Sequence, residues 1–496
     1  MKISINHFTI LLGVFSLLFT ACTTLDEDPQ SAQVSDQFYK NENDALAALY
    51  ATYGALVRGS DGQAMYNRGI QLATETTTDD LIAGPRAFNP NVQALSRLAH
   101  DAFNDRMQAL WQDHYQLINY ANIAVDRIAA IPEGNISPAK RAQFINEAKF
   151  LRALGYFNMV RWFKYIPLQL HETTTLSSST LNVSQATEEE VYAQIIQDLT
   201  DAESLPRPAD YTASEAGRAT AGSAKALLAK VYLTRQEWQK AAYKAKEVID
   251  DGWYSLFDDF NDVFDSSTKN GREHIFSAQF TGYTTGLTHM LAAAGATFEV
   301  PGVNGSHMDA YNVNSDLFDS FDKNDKRLPV TFVTEMVSPT DGKLYKLSEP
   351  HLHKYYDPNA VGSQGNSSRN IPILRYADVL LMRAEALNEL NGPTADAYDL
   401  IDQVRSRAGI TLLSTEAPGA SKDEFREYVF EERRKEFVFE YNRWFDLSRR
   451  GADYFVQKVK AAGKNLAAPR HIHLPIPQRE LDLNPNLKQN PDWVGF

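Results

Sequence analysis

The sequence predicts an all-α fold, in which tetratricopeptide-like helix pairs form a scaffold and long irregular loop regions are set upon it. Three observations lead there. Apolar residues recur at helical spacing through much of the chain. Two distant segments share one hairpin pattern, and two other stretches lose the helical period and fill with Gly, Asn, Ser and Asp.

From Asp44 to Leu56 the residues Ala45, Leu49, Tyr53 and Leu56 repeat at helical spacing. A longer helix is predicted at about Asp105 to Ile131, where Ala109, Asp113, Leu117, Tyr120, Ala124 and Ile128 trace one face and Pro132 and Gly134 end it. The next runs from about Pro138, a favourable first-turn residue, to Lys164, with Ile145, Ala148, Leu151, Leu154 and Phe157 on one side. The two hairpins can be laid over each other. Ala224, Leu227 and Leu228 match Ala377, Leu380 and Leu381 in spacing, and short turns at Arg235–Glu237 and Asn391–Pro393 lead into Ala-rich second helices. Small residues among large ones permit the close helix approach of such repeats, although these copies are not a regular tandem array.

Residues 74 to 91 and 253 to 370 break the pattern. GYTTG (282–286), VPGVNGSH (300–307) and NAVGSQGNSSRN (359–370) read as loops. Binding residues concentrate on loops carried by a rigid frame, so recognition is expected in these two regions and a scaffolding role in the helices.

The N-terminus predicts a tether. Lys2 supplies a short positive region, and Ile10 to Phe19 form an apolar run of signal-peptide length, too short to span a bilayer. Small Ala21 then precedes Cys22, the chain's one cysteine, so residues 1–21 read as a lipoprotein signal peptide and Cys22 as the lipidated residue. Two or more acyl chains there meet the condition for stable anchoring. Residues 22–35 are polar, acidic and Pro-containing, as a flexible leash would be. With that thiol committed to lipid no disulfide can form, and a chain of 496 residues is long enough to be held by its core. The formal net charge of -14 argues against nucleic acid as a partner, since phosphate contacts need basic surface.

Enzyme chemistry finds little support. Glu432, Glu436 and Glu440 stand four apart with Arg433 and Arg443 nearby, but a helical di-iron site needs Glu-x-x-His and this block has no His. Alternating Glu and Arg beside Phe437, Trp444 and Phe445 instead predict salt bridges flanking an apolar face, a structural role. His351 with His353, and His471 with His473, would each share a face if extended, yet no third ligand is indicated, so no metal is expected. No Gly-x-Ser-x-Gly elbow, Walker loop or His-Glu-x-x-His occurs, and neither catalytic residues nor a cofactor are expected.

Three C-terminal blocks carry a specific resemblance: RYADVLLMRAEALNE from Arg375, EERRKEFVFEYNRWFDLSRRG from Glu431 to Gly451, and HLPIPQRELDLNPNLKQNP from His473 to Pro491. In this order, behind the lipidation signal and the segment NENDALAALYATYGAL, they resemble the SusD/RagB family of Bacteroidetes outer-membrane lipoproteins. The resemblance spans nearly the whole chain. It implies a single domain over 36–496, with scaffold at about 40–250 and 371–450, a loop-rich insertion at about 253–370 and a C-terminal extended segment at about 465–496. The acidic residues after Cys22 resemble signals that send such lipoproteins to the cell exterior. The resemblance further implies a surface protein that captures a nutrient, usually a glycan and in some branches a peptide, and delivers it to a SusC-like TonB-dependent barrel. An unattached protein–protein scaffold is a third reading.

A glycan offers apolar C–H faces and many hydroxyls, so its site needs aromatic platforms beside Asn, Asp, Arg or Gln. The first loop region holds Arg86, Phe88 and Asn91; the second holds Tyr283, His289, Phe298 and Tyr311. Tyr283 ranks first, because Gly282 and Gly286 flank it in a polar loop. The tether is directly testable. Cys22→Ala is expected to release the protein from the outer membrane, and absence of label from a fatty-acid analogue on the wild type would refute the anchor.

Overall fold

The computed structural model describes residues 38–58, 65–84, 86–282, 297–303, 311–357 and 367–496. The predicted signal peptide, Cys22 and the leash lie outside them.

Helix α1 (Glu42–Gly54) begins at Asn41, whose side chain accepts hydrogen bonds from the Asn43 and Asp44 N–H groups. Short α2 (Ile70–Thr74) leads through β1 (Leu81–Ala83) to α3 (Pro90–Ser96). Two long helices follow, α4 (Asp105–Ala130) and α5 (Pro138–Phe163), then α6 (Glu188–Ala202), which is started by a Thr187–Glu190 capping box. Helix α5 packs against α1, α4 and α6 at once, and its residues from Phe150 to Val160 are all buried. Burial all round a helix is the mark of such a central position, and the two polar side chains in this stretch are paired, Arg152 with Asp198 and Asn158 with the Tyr66 hydroxyl. Gly155 makes the closest approach possible, since a Cβ there would come within 3.0 Å of the Ile118 side chain on α4.

Helix α4 corrects one predicted face. Asp113, Leu117, Ala124 and Ile128 are buried, but Ala109 is half-buried and Tyr120 is exposed. The helix lies against both α1 and α5, so its buried arc is broad and runs through Met107, Leu110, Trp111, His114 and Ile118. The helical hairpins form where the spacing put them: α7 (Ala221–Thr234) with α8 (Trp238–Asp250), and α9 (Tyr376–Asn391) with α10 (Ala395–Ala408). They meet through α8 and α9. The C-terminal part adds α11 (Lys422–Glu436), α12 (Arg443–Ser448), α13 (Ala452–Ala461) and α14 (Gln478–Leu483).

The fold is helix-dominated but not all-α. Three two-stranded antiparallel ladders occur among the described residues: β1 with β3 (Tyr311–Val313), β2 (His274–Ala278) with β6 (Ile371–Arg375), and β4 (Phe332–Val337) with β5 (Leu344–Leu352). The region 253–370 therefore contains strands as well as loops, and 283–296, 304–310 and 358–366 lie outside the described residues. β1 and β3 are three residues each and β2 is buried at every position, so neither length nor alternation marks them in the sequence. The segment expected to be extended, 465–496, also carries α14 and two 3₁₀ turns. One apolar cluster joins residues from Ala55 to Leu487, so early and late parts of the chain share a core.

The charged block from Glu431 turns inward. Glu436 on α11 accepts from Arg327 (3.0 Å), Arg375 (2.5 Å) and Arg407. Arg375 also reaches Glu273 (2.9 Å) and Glu440 (2.7 Å), while Arg327 binds Asp325 (2.8 Å) and Glu432 (2.6 Å). Lys354 donates to Glu440 (2.6 Å) and to the Val438 carbonyl (2.8 Å). A second group pairs Arg433 with Asp378 (2.7 Å) and Asp446 (2.9 Å), Lys230 with Asp378 (2.9 Å), and Arg449 with Glu385 and Asp446. All these side chains are buried or nearly so, whereas spacing alone suggested ion pairs flanking an apolar face. Glu440 is also off the helix: α11 ends at Glu436, and Phe439 and Tyr441 adopt positive φ (62° and 64°) in the turn that follows.

Removing one partner from such a pair strands a buried charge, a loss of about 3–5 kcal/mol. Arg433→Ala or Glu436→Ala is therefore expected to lower the melting temperature clearly while leaving ligand affinity per folded molecule unchanged. A variant with native melting behaviour and lost binding would contradict the structural assignment. Burial by itself would raise the Glu436 carboxyl, but Arg407, Arg375 and Arg327 overcome it and hold it well below its ordinary 4.5. Likewise burial opposes, and Lys230 and Arg433 impose, a lowered Asp378 relative to 3.8. Depressed carboxyls contribute stability that is fully present above those ordinary values and lost as pH falls through them towards the folded-state values. Melting temperature is thus expected to drop as pH falls from about 5 to about 2, and a flat profile would contradict the ionised network.

Candidate functional site

The segment Thr74–Asp80, read from sequence as part of a recognition loop, is buried floor instead. Its threonine hydroxyls are satisfied within the segment: Thr74, Thr76 and Thr77 donate to the carbonyls of Ile70, Leu72 and Ala73, and Thr78 donates to that of Glu75, at 2.6–2.8 Å. Such back-bonding lets a polar run enter the interior without orphaned hydroxyls. Its acids meet the charged block. Arg443 grips Asp79 at 2.7 and 2.9 Å, and Arg434 binds Asp80 at 2.6 Å. Glu75 accepts from the Tyr441 N–H at 2.7 Å, and burial, reinforced by Asp80, pushes its carboxyl well up.

Lys464 completes the floor. Its ammonium donates to the carbonyls of Thr76 (2.6 Å), Leu81 (3.1 Å) and Ser96 (2.8 Å), tying the threonine segment, β1 and α3 to one point. Burial pulls its pKa down to about 7, against the attraction of Asp79 and Asp80.

Only the end of the first region reaches solvent. Between β1 and α3 the chain turns over Arg86, Ala87 and Phe88, held by a Phe88 N–H bond to the Arg86 carbonyl (2.9 Å) and by Gln93 donating to the Ala87 carbonyl (2.9 Å). Phe88 is 76% exposed. Asn91 lies in the first turn of α3, where its N–H is capped by Asn89 (2.8 Å) and its carbonyl accepts from Asn104 (3.0 Å). Its observed role is in shaping the turn, and it sits half-buried.

The two predicted recognition regions come together here. β1 pairs with β3 in the register Leu81↔Val313, Ile82↔Asn312 and Ala83↔Tyr311. Tyr311 is thus placed by its backbone at the end of the ladder beside the Arg86 turn. The Arg86 guanidinium lies 3.7 Å from the Phe298 ring centroid and 5.6 Å from that of Phe88. Phe298 is itself 48% exposed, so two rings from distant segments flank one cation at the surface. Tyr283 and His289 lie outside the described residues, although Gly282 at their entrance has φ 98°, a conformation suited to glycine.

Sequence reasoning missed Phe103. It is 77% exposed, in a turn set by Asp101 accepting from the Phe103 N–H (2.9 Å) and by the Asn104–Asn91 bond. The available signal was an aromatic between two Asx residues, directly before a helix. Two of the four histidines considered pack against other rings. His471 packs against His100 and Trp493, with centroids 5.3 and 5.4 Å apart, and His353 stacks on Tyr356 at 4.8 Å. Burial lowers the pKa of His471 and His353 to about 4, which leaves both neutral near pH 7.

Aromatic faces beside a guanidinium can stack on apolar ring surfaces of a ligand while donating to its oxygens. Residues 334–493 match the SusD family model, and residues 25–233 match a family described as starch-binding and associating with the outer membrane. A SusD-like protein of Formosa agariphila is 28% identical over 98% of this chain and 99% of its own. A SusD homologue from Bacteroides thetaiotaomicron shares the fold with a TM-score of 0.80 at 24% identity, covering 93% of this chain and 99% of that one. A laminarin-binding SusD-like protein aligns with a TM-score of 0.76 at 28% identity, covering 92% of this chain and 100% of that one. No described helix is long and apolar enough to cross a membrane. With two matching family models over most of its length and the same fold over 93% of it, the chain belongs to the SusD/RagB family.

Proposed function

We propose that this protein is a lipid-anchored, surface-exposed glycan-binding protein of the outer membrane, and that it passes oligosaccharide to a SusC-like TonB-dependent transporter. The observation that carries the reading is the Arg86 guanidinium set between the exposed rings of Phe298 and Phe88. A sugar lying on these rings would cover them with its C–H face while Arg86 donates to its oxygens. The rigid base of α3, β1 and Lys464 limits the ordering cost of binding. The laminarin-binding relative and the starch-binding description of the matched family support a glycan over a peptide, so peptide capture stands second. The helix pairs serve as a tetratricopeptide-like scaffold, Cys22 as the anchor, and Tyr283, His289 and Tyr311 as further ligand contacts.

A few residues usually dominate a binding surface. Titration with laminarin and a panel of neutral polysaccharides tests this reading on Phe88→Ala, Phe298→Ala, Tyr283→Ala and Phe103→Ala. At least one of the first three is expected to weaken binding by about tenfold or more with helical circular dichroism intact. Wild-type affinity in all of them would move the site elsewhere. No glycan affinity in the parent, with affinity for a peptide mixture, would favour peptide capture. Copurification of a large outer-membrane barrel tests the transporter.

A further inference from the structure

A separate cleft of about 670 Å³ opens where the end of α5, the start of α6, the end of α7 and α12 converge. Arg161 lies at its inner end and also lines a smaller cavity of about 30 Å³ behind it. The guanidinium is clamped between the Phe157 ring (3.8 Å to the centroid) and the Phe445 ring (3.5 Å). One edge is pinned: Nε donates to the Phe157 carbonyl (3.0 Å) and Nη2 to Asn158 Oδ1 (2.6 Å). Among the described residues no carboxylate stands within ion-pair distance of it, unlike the interior arginines of the charged block. The nearby acids are engaged elsewhere, Asp378 by Lys230 and Arg433, and Asp446 by Arg433 and Arg449. The other cleft arginines are paired too, Arg235 with Glu189 and Glu237, and Arg449 with Glu385.

We propose that this cleft is a second ligand site, which takes the carboxylate or sulfate group of an acidic sugar on Arg161. A planar guanidinium fixed on both faces and along one edge keeps Nη1 for an oxyanion, in the geometry at which arginine recognises such groups. Burial lowers the Arg161 pKa to about 10, so it remains charged near neutral pH, and an anion in the cleft offsets its desolvation. Tyr165 and Tyr192 line the walls as surfaces for a sugar ring. Glu188, which also lines the cleft, can accept from ring hydroxyls. The sugar part of this inference rests on the proposed glycan function; the anion part does not.

Calorimetric titration with trigalacturonate, a chondroitin sulfate tetrasaccharide and neutral laminaritetraose separates the cases, at low salt and at about 0.3 M salt. The wild type is expected to bind at least one charged probe, more weakly at the higher salt, and the preferred probe distinguishes carboxylate from sulfate. Arg161→Met is expected to reduce that affinity by about tenfold or more. Ser448→Trp fills the cleft without removing the Arg161 hydrogen bonds, and loss of charged-probe binding there supports the site even if Arg161→Met fails to fold. The proposal is overturned if neither charged probe binds the wild type, or if Ser448→Trp keeps full affinity. Loss of neutral-glycan binding in Phe88→Ala but not Arg161→Met concerns the loop face alone, so the two readings fail separately.

Discussion

The buried carboxylate of Glu436 is the point through which distant parts of this chain are joined. Three arginines converge on it, from the segment before β4, from the end of β6 and from α10. Each of these arginines also holds another acid, so the charges form a mesh. Taking so many ions out of water is costly, and charge-assisted hydrogen bonds and ring faces such as Phe437, 4.3 Å from Arg375, offset much of it, although Arg407 Nε has no partner among the described residues. The mesh ties the segment before β4, the end of β6 and α10 to α11.

The same block supports the candidate ligand face from below. Arg434 and Arg443 hold Asp80 and Asp79, and Lys464 collects three carbonyls from around β1 and α3. The Arg86–Phe88 turn leaves directly from that base. Exposed rings are usually expected to rearrange, but here both ends of the turn are fixed in the interior. The turn is therefore held from below by buried charged groups. This role explains why a polar run such as Thr74–Asp80 is kept in the core, where apolar residues would pack with fewer requirements.

Two surfaces of different chemistry result. The loop face offers aromatic rings around a solvent-exposed cation, suited to neutral ring faces with scattered hydroxyls. The cleft at Arg161 offers a guanidinium immobilised in a partly dry setting, suited to a fixed negative charge.

The long helices were legible from the sequence because their signals are local. Asn104 and Ser137 cap α4 and α5, Pro138 starts the latter, and apolar residues recur at the period of the helix that buries them. The hairpin spacing at Ala224 and Ala377 and the family-like blocks were legible for the same reason. Arg86, Phe88 and Phe298 could be picked out by type and loop setting, but nothing in the sequence said that they meet. That pairing is made by the β1–β3 ladder and by a cation–ring contact between distant segments. The interior placement of Thr74–Asp80 and of the Glu–Arg block was equally invisible, since polarity predicts exposure unless partners are known. Local periodicity thus determined the helices, whereas the tertiary structure alone decided which charges are buried and which rings are shown, because both depend on neighbours far away in the chain.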